Sequence, residues 1–459
     1  MLSSSDFFTA ILKDSYKQKG DWLVGIEHEL FFFNKKTGAP IQFSGEESIS
    51  VILEELFRSV AGTKVYDGAN FVSFISDEFG LSLEAGCQVE YSSPPMRDLF
   101  ALQQRTLDFY KIVRGILERI DIGVLAVGTP PTWTRSEINR APKRRYEIMM
   151  PYMRRVGGLG EDQLLRTASI QVNLDYSDET DLLEKLEASL AIQPIITALF
   201  ANSKLLNGRS TGFCSYRSFI WTDTDADRTG MLSFLRSSDQ KISSLVEYFY
   251  SVPMYLIRRG GKYLDFSGQN IRNFANRSLV QPSQTEPCRQ DFEDHLTTIF
   301  TEVRVKNTLE MRGADTGCIS DALALAAIWV GLLYDRDTLR KLLGLTCDWS
   351  SNEIEALRHS VPKLGLDAPF RGTQIHDIAE KLVEMASVGL DNRRRELGLL
   401  RSEETFLDSA RKKLANPVNL TDSVHFDLTQ PLRGMLLLDE AFWVDYERNR
   451  DISTHKPCN

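Results

Sequence analysis

The sequence predicts an α+β protein, because long amphipathic helices and short alternating strands both occur along the chain. Apolar residues recur every three, four or seven positions in three stretches, which predicts helices: 99–120, 183–199 and 322–334. Polar and apolar residues alternate in four other stretches, which predicts strands with one buried face: 25–33, 82–91, 167–176 and 302–312. A mixed architecture with a sheet backed by helices follows from these two patterns.

Length and composition predict one large globular unit. The chain has 459 residues, of which 42% are hydrophobic and 25% are charged, as in ordinary globular proteins. No repeat, low-complexity tract or long linker separates autonomous domains, so we expect a single catalytic unit over 1–459. From about residue 340 to 459 the pattern is charged and helical, and we expect this C-terminal part to pack on the sheet-containing core.

Charge and cysteine content restrict the partners and the location. The 54 Lys and Arg against 63 Asp and Glu give a net charge of -9, which disfavours nucleic acid and anionic membranes. The longest apolar run, 322–334, is too short to cross a bilayer. The six cysteines include no CxxC pair and the N-terminus lacks a signal-peptide pattern. We therefore predict a cytoplasmic protein that acts on small molecules as a monomer or homodimer.

Polar residues occupy every second position of the four predicted strands, so that each set shares one face. The sets are Glu27 and Glu29; Glu84, Gln88 and Glu90; Gln171, Asn173 and Asp175; and Glu310 and Arg312. Any half-buried strand alternates in this way without a function. Glutamate, however, is depleted in strands, and gathered carboxylates repel one another unless cations lie among them. The five glutamates therefore predict a metal site.

The ligand type indicates which metal, and the metal indicates a substrate class. Carboxylate oxygens without cysteine favour Mg²⁺ or Mn²⁺ over Zn²⁺, and protein-bound Mg²⁺ usually completes its shell with substrate phosphates. Nucleotide chemistry follows as a hypothesis. Supporting cations occur in strand or turn contexts: Lys143, Arg144, Arg145, Arg166, Arg217, Arg228, Arg304, Lys306 and Arg312.

Several competing motifs are absent from the sequence. The chain contains no GxxxxGK[ST] loop and no GxGxxG after a predicted strand, so a nucleotide is held in another way. His28-Glu29 lacks the second histidine of HExxH. The acidic loop at Asp223, Asp225 and Asp227 departs from an EF-hand, because Arg228 replaces the required glycine. We expect that loop to be structural or to face the substrate.

Long phrases of the sequence resemble the plant-type glutamate–cysteine ligase family, which plants and many bacteria share. The resemblance covers about 20–390, and its phrases stand in one order: GIEHELFFF, SLEAGCQVEY, PKRRYEIMMPYMRRVGGLG, LLRTASIQVNLDYS, QPIITALFANS, SFIWTDTDADRTGM, VPMYLIRRGGKYLDFSG, HLTTIFTEVRVKNTLEMRGAD and WVGLLYD. It implies a glutamine-synthetase-like carboxylate-amine ligase fold, in which a curved, mainly antiparallel sheet forms an active-site funnel packed by helices. The polar strand faces would line that funnel.

The resemblance also implies a reaction and a set of residue roles. ATP, the co-substrate, would phosphorylate the γ-carboxylate of glutamate, and the amine of cysteine would then displace phosphate. Two or three Mg²⁺ ions, or Mn²⁺ in their place, would bind the family's acidic positions: Glu27, Glu29, Glu84, Glu90 and Glu310, with Gln171 as a further ligand. Arg312 and Glu310 would be catalytic. The remaining roles are ATP binding by Lys143, Arg145, Asn173 and Lys306, and substrate binding by Arg166, Arg217, Trp221 and Tyr255.

Departures from the family pattern keep further functions open. The segment LEAGCQVEYSSPP carries Ala85, Cys87, Val89, Tyr91 and Ser93 where the family has different residues, and Phe219 replaces a histidine. These changes are either neutral or alter the acceptor pocket toward another small apolar amino acid, such as an alkyl- or alkynyl-glycine in specialised metabolism. A guanidino-kinase-like phosphotransferase and an inactive binding or regulatory paralogue are also compatible with the sequence.

Overall fold

The structure is a computed structural model that describes residues 6–236, 241–278 and 285–418. The strands are β1 Val24–Asn34, β2 Gly62–Asp67, β3 Asn70–Ser76, β4 Gly80–Leu83, β5 Val89–Ser92, β6 Ile122–Leu125, β7 Ser169–Leu174, β8 Leu205–Leu206, β9 Arg209–Ser210, β10 Thr229–Gly230, β11 Leu256–Arg259, β12 Lys262–Asp265, β13 Phe300–Thr301, β14 Val303–Val305, β15 Leu309–Asp315, β16 Pro369–Phe370 and β17 Thr373–Gln374.

The α-helices are α1 Asp6–Asp14, α2 Ile49–Arg58, α3 Leu99–Leu117, α4 Arg144–Val156, α5 Gly160–Arg166, α6 Glu179–Leu199, α7 Tyr216–Ile220, α8 Ile242–Ser251, α9 Ile271–Ala275, α10 Arg289–Leu296, α11 Ile319–Leu333, α12 Arg336–Thr346, α13 Ser351–Leu364, α14 Ile375–Leu397 and α15 Asp408–Ala415. The three helices expected from periodicity are confirmed as α3, α6 and α11. No helix among the described residues is both long and apolar enough to span a membrane.

Nine strands form one antiparallel sheet, which confirms the predicted α+β class. Its order is β14-β15-β7-β1-β5-β4-β3-β2, and β6 pairs with the far end of β1. The long strand β1 pairs with β5 on one side and β7 on the other, so the glutamates of the first predicted strand lie at the centre of the sheet. Successive side chains of β1 alternate between half-buried and buried, with the buried set facing the helices.

Two of the four predicted strands are hairpins rather than single strands. The stretch 82–91 divides into β4 and β5, joined by a turn in which Cys87 has a positive φ of 61°. Gly86 is needed there because a Cβ at that position would lie 2.2 Å from the Leu165 carbonyl oxygen. The stretch 302–312 divides into β14 and β15 around the turn at 306–308. Alternation persists through the first turn and is interrupted in the second only by Asn307, which is why periodicity did not reveal them.

Helices cover one face of the sheet and leave the glutamate face open to a cavity. Helix α11 is apolar on all sides and packs against β1, β7 and α14, while α6 packs against β15. A continuous cluster of buried apolar residues extends from the sheet into these helices. The buried residues of β1, such as Ile26 and Leu30, belong to that cluster. The sheet therefore has one apolar face that packs against helices and one polar face that borders the cavity.

The C-terminal part is helical as far as the structure describes it. Helices α12 to α15 pack against α6, α11 or each other. The predicted helical part extends to residue 459, and its portion after residue 418 lies outside the described residues. That the whole chain forms one catalytic unit stays a prediction.

Candidate active site

A cavity of about 320 Å³ lies on the polar face of the large sheet. Strands β1, β4, β5, β7, β14 and β15 form its floor, and α4, α5, α7 and the segment 297–300 supply its walls. Its lining residues are Glu27, Glu29, Ser82, Glu84, Gln88, Glu90, Ser92, Lys143, Arg145, Tyr146, Met149, Gln163, Leu164, Thr167, Ser169, Gln171, Arg217, Trp221, Thr297, Phe300, Arg304, Lys306 and Arg312.

Strand register brings the carboxylates of the floor together. Glu29 of β1 lies directly opposite Glu90 of β5, and Glu27 lies opposite Gln171 of β7 on the other side. Directly opposed residues in antiparallel strands have Cβ atoms about 4.5 to 5.5 Å apart. Glu84 lies in the β4–β5 turn and still lines the cavity. The predicted convergence of these four glutamates is therefore observed, although Glu84 reaches the cavity from a turn.

Neutral donors from neighbouring strands hold these carboxylates. Glu29 Oε2 accepts from the Ser169 amide at 2.6 Å, and Glu29 Oε1 accepts from Gln171 Nε2 at 3.1 Å. Glu27 Oε1 accepts from Asn173 Nδ2 at 2.9 Å. The Tyr146 hydroxyl donates to Glu84 Oε2 at 2.9 Å, and the Ser82 hydroxyl donates to Glu90 Oε1 at 3.2 Å. Within the described ranges, none of the four glutamates forms an ion pair inside 4.0 Å.

Burial and mutual repulsion raise the pKa of three of these carboxyl groups. Burial, followed by the charges of Glu27 and Glu84, raises the pKa of Glu90 well above its usual value. Burial and Glu84 raise the pKa of Glu29 to about 7, and burial and Glu310 raise that of Glu27. Divalent cations would remove this repulsion, and hard carboxylate oxygens are the ligands that Mg²⁺ prefers. The donor set fits a magnesium centre.

Glu310 lies beside this group in a different environment, surrounded by cations. Arg304 Nη2 and Lys306 Nζ each lie 2.6 Å from one of its carboxylate oxygens, and Arg312 Nη1 contacts it as well. Burial alone would raise the pKa of Glu310, but the charges of Arg304, Lys306 and Arg312 hold it well below its usual value. Both Glu310 oxygens are thus engaged, and the residue is not part of the cavity lining. Its predicted role as a metal ligand stays a prediction.

The cationic wall of the cavity has hydrogen-bonding capacity that the described residues do not use. The buried Nε atoms of Arg145 and Arg217 and the buried Nε1 of Trp221 have no hydrogen-bond partner in the described part of the chain. Unsatisfied buried donors are rare and call for an explanation such as a bound ligand. All three side chains line the cavity. An anionic ligand would supply the acceptors.

A β-bulge places Arg312 where the carboxylate floor meets the cationic wall. The register between β15 and β7 shifts after Met311, and such bulges re-aim side chains. Arg312 Nη1 also donates to Gln171 Oε1 at 2.7 Å, and its guanidinium lies 5.8 Å from the centroid of the Phe300 ring. Arg217 donates to the Arg312 carbonyl at 2.8 Å. Arg312 therefore borders both the carboxylates and the cationic wall, as its predicted catalytic role requires.

The start of helix α4 presents the predicted nucleotide-binding residues Lys143 and Arg145. Lys143 Nζ donates to the Leu83 carbonyl at 2.6 Å, and burial lowers the pKa of its amino group. The Arg144 amide donates to Asp67 Oδ2 at 2.7 Å, so the β2–β3 hairpin caps α4. Both side chains line the cavity, and the binding of ATP by them stays a prediction.

Two of the predicted substrate-binding residues do not line the cavity, and their role in substrate binding stays a prediction. Arg166 donates to Asp162 at 2.6 Å through Nε and to Asn207 at 2.9 Å, and only 6% of it is exposed. Tyr255 is fully buried and donates to Asp225 at 3.2 Å. The sequence showed their polar character but not that partners within the fold already satisfy them.

Two amide side chains support other site residues rather than facing a ligand. Asn173 does not line the cavity, because its amide group binds Glu27 and accepts the Thr308 hydroxyl at 2.9 Å. Its predicted contact with ATP stays a prediction. Gln171 lines the cavity but bridges Glu29 and Arg312, so its oxygen already accepts a hydrogen bond. Its role as a metal ligand stays a prediction.

Sequence reasoning missed several residues of the site. Ser169 donates twice to Glu29, and Tyr146 holds Glu84. Phe300 and Thr297 form part of the wall and carry no sequence signal of a function. In the sequence Arg304 is only one of many cations, and recognition of the β14–β15 hairpin would have placed it opposite Glu310.

The departures from the family pattern lie outside the cavity. Ala85, Cys87, Val89 and Tyr91 are all buried in the apolar core, where the Tyr91 ring stacks on Phe109 at 4.4 Å. Burial raises the pKa of the Cys87 thiol to about 12, as expected for an unreactive core cysteine. The Ser93 hydroxyl accepts from the Ile26 amide at 2.9 Å, and Phe219 stacks on Phe213. None of the substituted residues lines the cavity.

An antiparallel sheet with converging carboxylates and an opposing wall of arginines defines the class of carboxylate-amine ligases. A family model described as "Glutamate-cysteine ligase family 2 (GCS2)" matches residues 23–415. The chain therefore belongs to glutamate–cysteine ligase family 2.

Relatives and a solved structure agree with this membership. The chain is 42% identical to the chloroplastic glutamate–cysteine ligase of Brassica juncea over 85% of its length and 76% of that protein. It is 40% identical to glutamate–cysteine ligase A, chloroplastic, of Oryza sativa subsp. indica over 90% of its length and 84% of that protein. It also superposes on the glutamate–cysteine ligase of Francisella tularensis in complex with AMP, with a TM-score of 0.50, 12% identity, and coverage of 87% and 83%. The last likeness supports the predicted ligase fold.

The predicted cytoplasmic location is wrong according to this comparison. Both plant relatives are named as chloroplastic enzymes, and they match the chain over most of its length. The cysteine pattern favours a reducing compartment but does not separate one such compartment from another.

Proposed function

We propose that the chain is an ATP-dependent ligase that joins the γ-carboxylate of glutamate to the amine of cysteine. The observation that carries this proposal is the meeting of two unsatisfied groups in one cavity. Glu27, Glu29 and Glu90 repel one another without cations, and the wall of Arg145, Arg217 and Trp221 has buried donors without acceptors. Magnesium and a triphosphate together would satisfy both groups. The named relatives are ligases of this kind.

The carboxylates Glu27, Glu29, Glu84 and Glu90 would hold the Mg²⁺ ions, two or three in number, and Mn²⁺ could replace them. When bound, the metal supplies Lewis acidity that neutralises charge on phosphate oxygens. Gln171 and Glu310 would join this set only if Arg304, Lys306 and Arg312 turned from them toward phosphate. Their present ion pairs and hydrogen bonds are compatible with such an exchange, because a triphosphate offers the same cations more negative charge.

The cations of the wall would bind and stabilise phosphate. Lys143, Arg145 and Lys306 would hold the non-transferred phosphates of ATP. Arg312, which lies between the carboxylates and the wall, would stabilise charge on the phosphoryl group during transfer. Arg217 and Trp221 would hold glutamate, since a guanidinium matches a carboxylate and the Trp221 Nε1 has no acceptor among the described residues.

The reaction would then proceed in two balanced steps. A γ-carboxylate oxygen of glutamate attacks the terminal phosphorus of ATP, the bond to the bridging oxygen breaks, and ADP leaves. The amine of cysteine attacks the carbonyl carbon of the resulting γ-glutamyl phosphate and loses a proton, and inorganic phosphate leaves. The enzyme contributes mainly position and preorganised charge.

Cysteine is the favoured acceptor because the residues that depart from the family pattern do not line the cavity. One experiment separates this function from its rivals. The chain is incubated with ATP, Mg²⁺ and glutamate, with and without each of a panel of small amino acids, while ADP and γ-glutamyl products are measured by mass spectrometry. We expect ADP release that depends on both amino acids and a γ-glutamylcysteine product.

Three outcomes of that experiment would contradict the proposal. A phosphorylated acceptor without a peptide bond would indicate a phosphotransferase, and preference for another small apolar amino acid would indicate an altered acceptor. Absence of turnover with every amino acid would indicate an inactive paralogue. Glu90→Gln should abolish most of the activity, whereas the control Glu118→Gln, on the exposed end of α3, should not change it.

A further inference from the structure

We infer that Arg228 is a positioning residue that sets the place of the cationic wall, although it does not touch the cavity. Its side chain is fully buried, pairs with Asp225 in the turn after Trp221 and donates to Thr298 in the segment before Phe300. The inference rests on the proposed function and adds to it a residue that orients the phosphate-binding side.

The guanidinium of Arg228 joins three segments of the chain. Arg228 Nε lies 2.6 Å from Asp225 Oδ2, four residues after Trp221. Arg228 Nη1 donates to the Thr298 carbonyl at 3.1 Å, and Nη2 donates to the Pro253 carbonyl at 2.8 Å. The guanidinium also stacks on the Tyr255 ring, 3.7 Å from its centroid. One planar group therefore fixes the turn after Trp221, the segment before β11 and the segment before β13.

Backbone hydrogen bonds around Arg228 connect it to residues that line the cavity. The Phe300 amide donates to the Arg228 carbonyl at 2.8 Å, and β10 pairs with β13 in parallel from this point. Next to Thr298, the Thr297 carbonyl accepts from Arg304 Nη1 at 3.0 Å. Arg304 is the residue that pairs with Glu310. The path from Arg228 to the predicted phosphate side thus consists of two short steps, one through Phe300 and one through Thr297 and Arg304.

The substitution Arg228→Lys would keep the positive charge and lose the planar fork that reaches three partners at once. The segments that contain Trp221 and Phe300 would then be positioned less accurately. Displacement of site groups by about 1 Å can lower the rate by about 100-fold. Tyr255, which the sequence suggested as a substrate-binding residue, belongs to this positioning layer because its hydroxyl and ring hold Asp225 and Arg228.

The test compares Arg228→Lys with a matched control, Arg393→Lys, in the full-length protein. Arg393 is also buried, pairs with Glu403 and donates to the Arg97 carbonyl, but none of these residues lines the cavity. We expect both variants to lower the Tm. At a temperature well below both Tm values, Arg228→Lys should lower kcat/KM for Mg-ATP about 10- to 100-fold, whereas Arg393→Lys should stay within about twofold of the wild type.

Binding of Mg-ATP, followed by tryptophan fluorescence, gives a second readout that does not need turnover. We expect Arg228→Lys to weaken this binding and Arg393→Lys to leave it unchanged. Equal kcat/KM and binding in Arg228→Lys and the wild type, or equal losses in both variants, would overturn the inference. If Arg228→Lys does not fold, Asp225→Asn decides by the same comparison. A wild-type protein that binds Mg-ATP but makes no γ-glutamylcysteine would refute the proposed function instead.

Discussion

Arg304 and Glu310 face each other across the β14–β15 hairpin, and two nitrogen atoms of the Arg304 fork contact the Glu310 carboxylate. The pair is buried, and Lys306 and Arg312 add two further cations to the same carboxylate. One negative charge therefore organises three positive charges at the edge of the cavity. This arrangement keeps the phosphate-side cations in place before any substrate binds, at the cost of desolvating all four groups.

Glu310→Gln should destabilise the protein, because it leaves the buried Arg304 and the partly buried Lys306 and Arg312 without their shared carboxylate. Loss of one partner in a buried ion pair typically costs about 3 to 5 kcal/mol. The free energy of unfolding in urea should fall by about this amount. Glu396→Gln removes an exposed partner of Lys19 and should change it by less than about 0.5 kcal/mol. Equal stability of the two variants would show that the Glu310 cluster is not held together by this charge.

Arg312→Lys should affect turnover more than folding. Lysine keeps the charge near Glu310 but loses the second contact, to Gln171, and the planar shape. Loss of one preorganised electrostatic group typically lowers kcat about 10²- to 10³-fold. Steady-state kinetics with glutamate, cysteine and Mg-ATP measures this loss. A kcat within a factor of about three of the wild type would exclude Arg312 from stabilising the phosphoryl group.

Glu90→Gln should have opposite effects on the metal-free and the metal-loaded protein. Without metal, the substitution removes a buried charge that lies among Glu27, Glu29 and Glu84, so the Tm should rise. With saturating Mg²⁺ and ATP, it removes a ligand, so the gain in Tm on adding them should shrink. Thermal melts with EDTA and with Mg-ATP give both values. A lower Tm in EDTA would show that repulsion at Glu90 is absent.

The buried histidine His295 should make stability depend on pH in the acidic range. Burial and the nearby charge of Arg228 lower the pKa of His295 from 6.5 to about 3. The unfolded chain therefore binds a proton at His295 below about pH 6.5, whereas the folded protein binds that proton only near about pH 3. The free energy of unfolding should fall as the pH falls through this window, by about 1.4 kcal/mol per pH unit for this one group.

His295→Gln should reduce that slope, since the amide can still donate to the Phe249 carbonyl that His295 contacts and cannot be protonated. Urea unfolding of the wild type and the variant between about pH 7 and 5 measures the difference. His359→Gln, which changes an exposed histidine on α13, is the matched control and should leave the slope unaltered. Parallel curves for all three proteins would contradict the prediction.

Strand parity predicted the carboxylate floor well, because side-chain direction in a strand depends only on position along it. Glu27 and Glu29 were placed on the correct face for that reason. The register with β5 and β7 then places Glu90 opposite Glu29 and Gln171 opposite Glu27. Parity could not reveal the turns at 84–88 and 306–308, since alternation continues through the first and only Asn307 interrupts it in the second. It therefore missed that Arg304 lies opposite Glu310.

Contacts between distant segments were beyond the reach of the sequence. Arg166 and Tyr255 have the chemistry of substrate-binding residues, yet in the fold they donate hydrogen bonds to Asn207 and Asp225, which lie far from them in the sequence. The side-chain amide of Asn173 likewise forms hydrogen bonds with Glu27 and Thr308. A polar residue in a family motif can thus bind another side chain of the protein rather than the ligand. Only the tertiary structure distinguishes these two roles.

A crystal structure with Mg²⁺ and a non-hydrolysable ATP analogue tests the central claim most directly, namely that the carboxylates and the cationic wall are completed by metal and triphosphate. We predict Mg²⁺ within about 2.0 to 2.1 Å of oxygens of Glu27, Glu29 and Glu90, with phosphate oxygens accepting from Arg145 and Arg312. An analogue bound elsewhere, with these carboxylates still hydrogen-bonded to Asn173, Ser169, Gln171 and Ser82 and to no metal, would contradict the account.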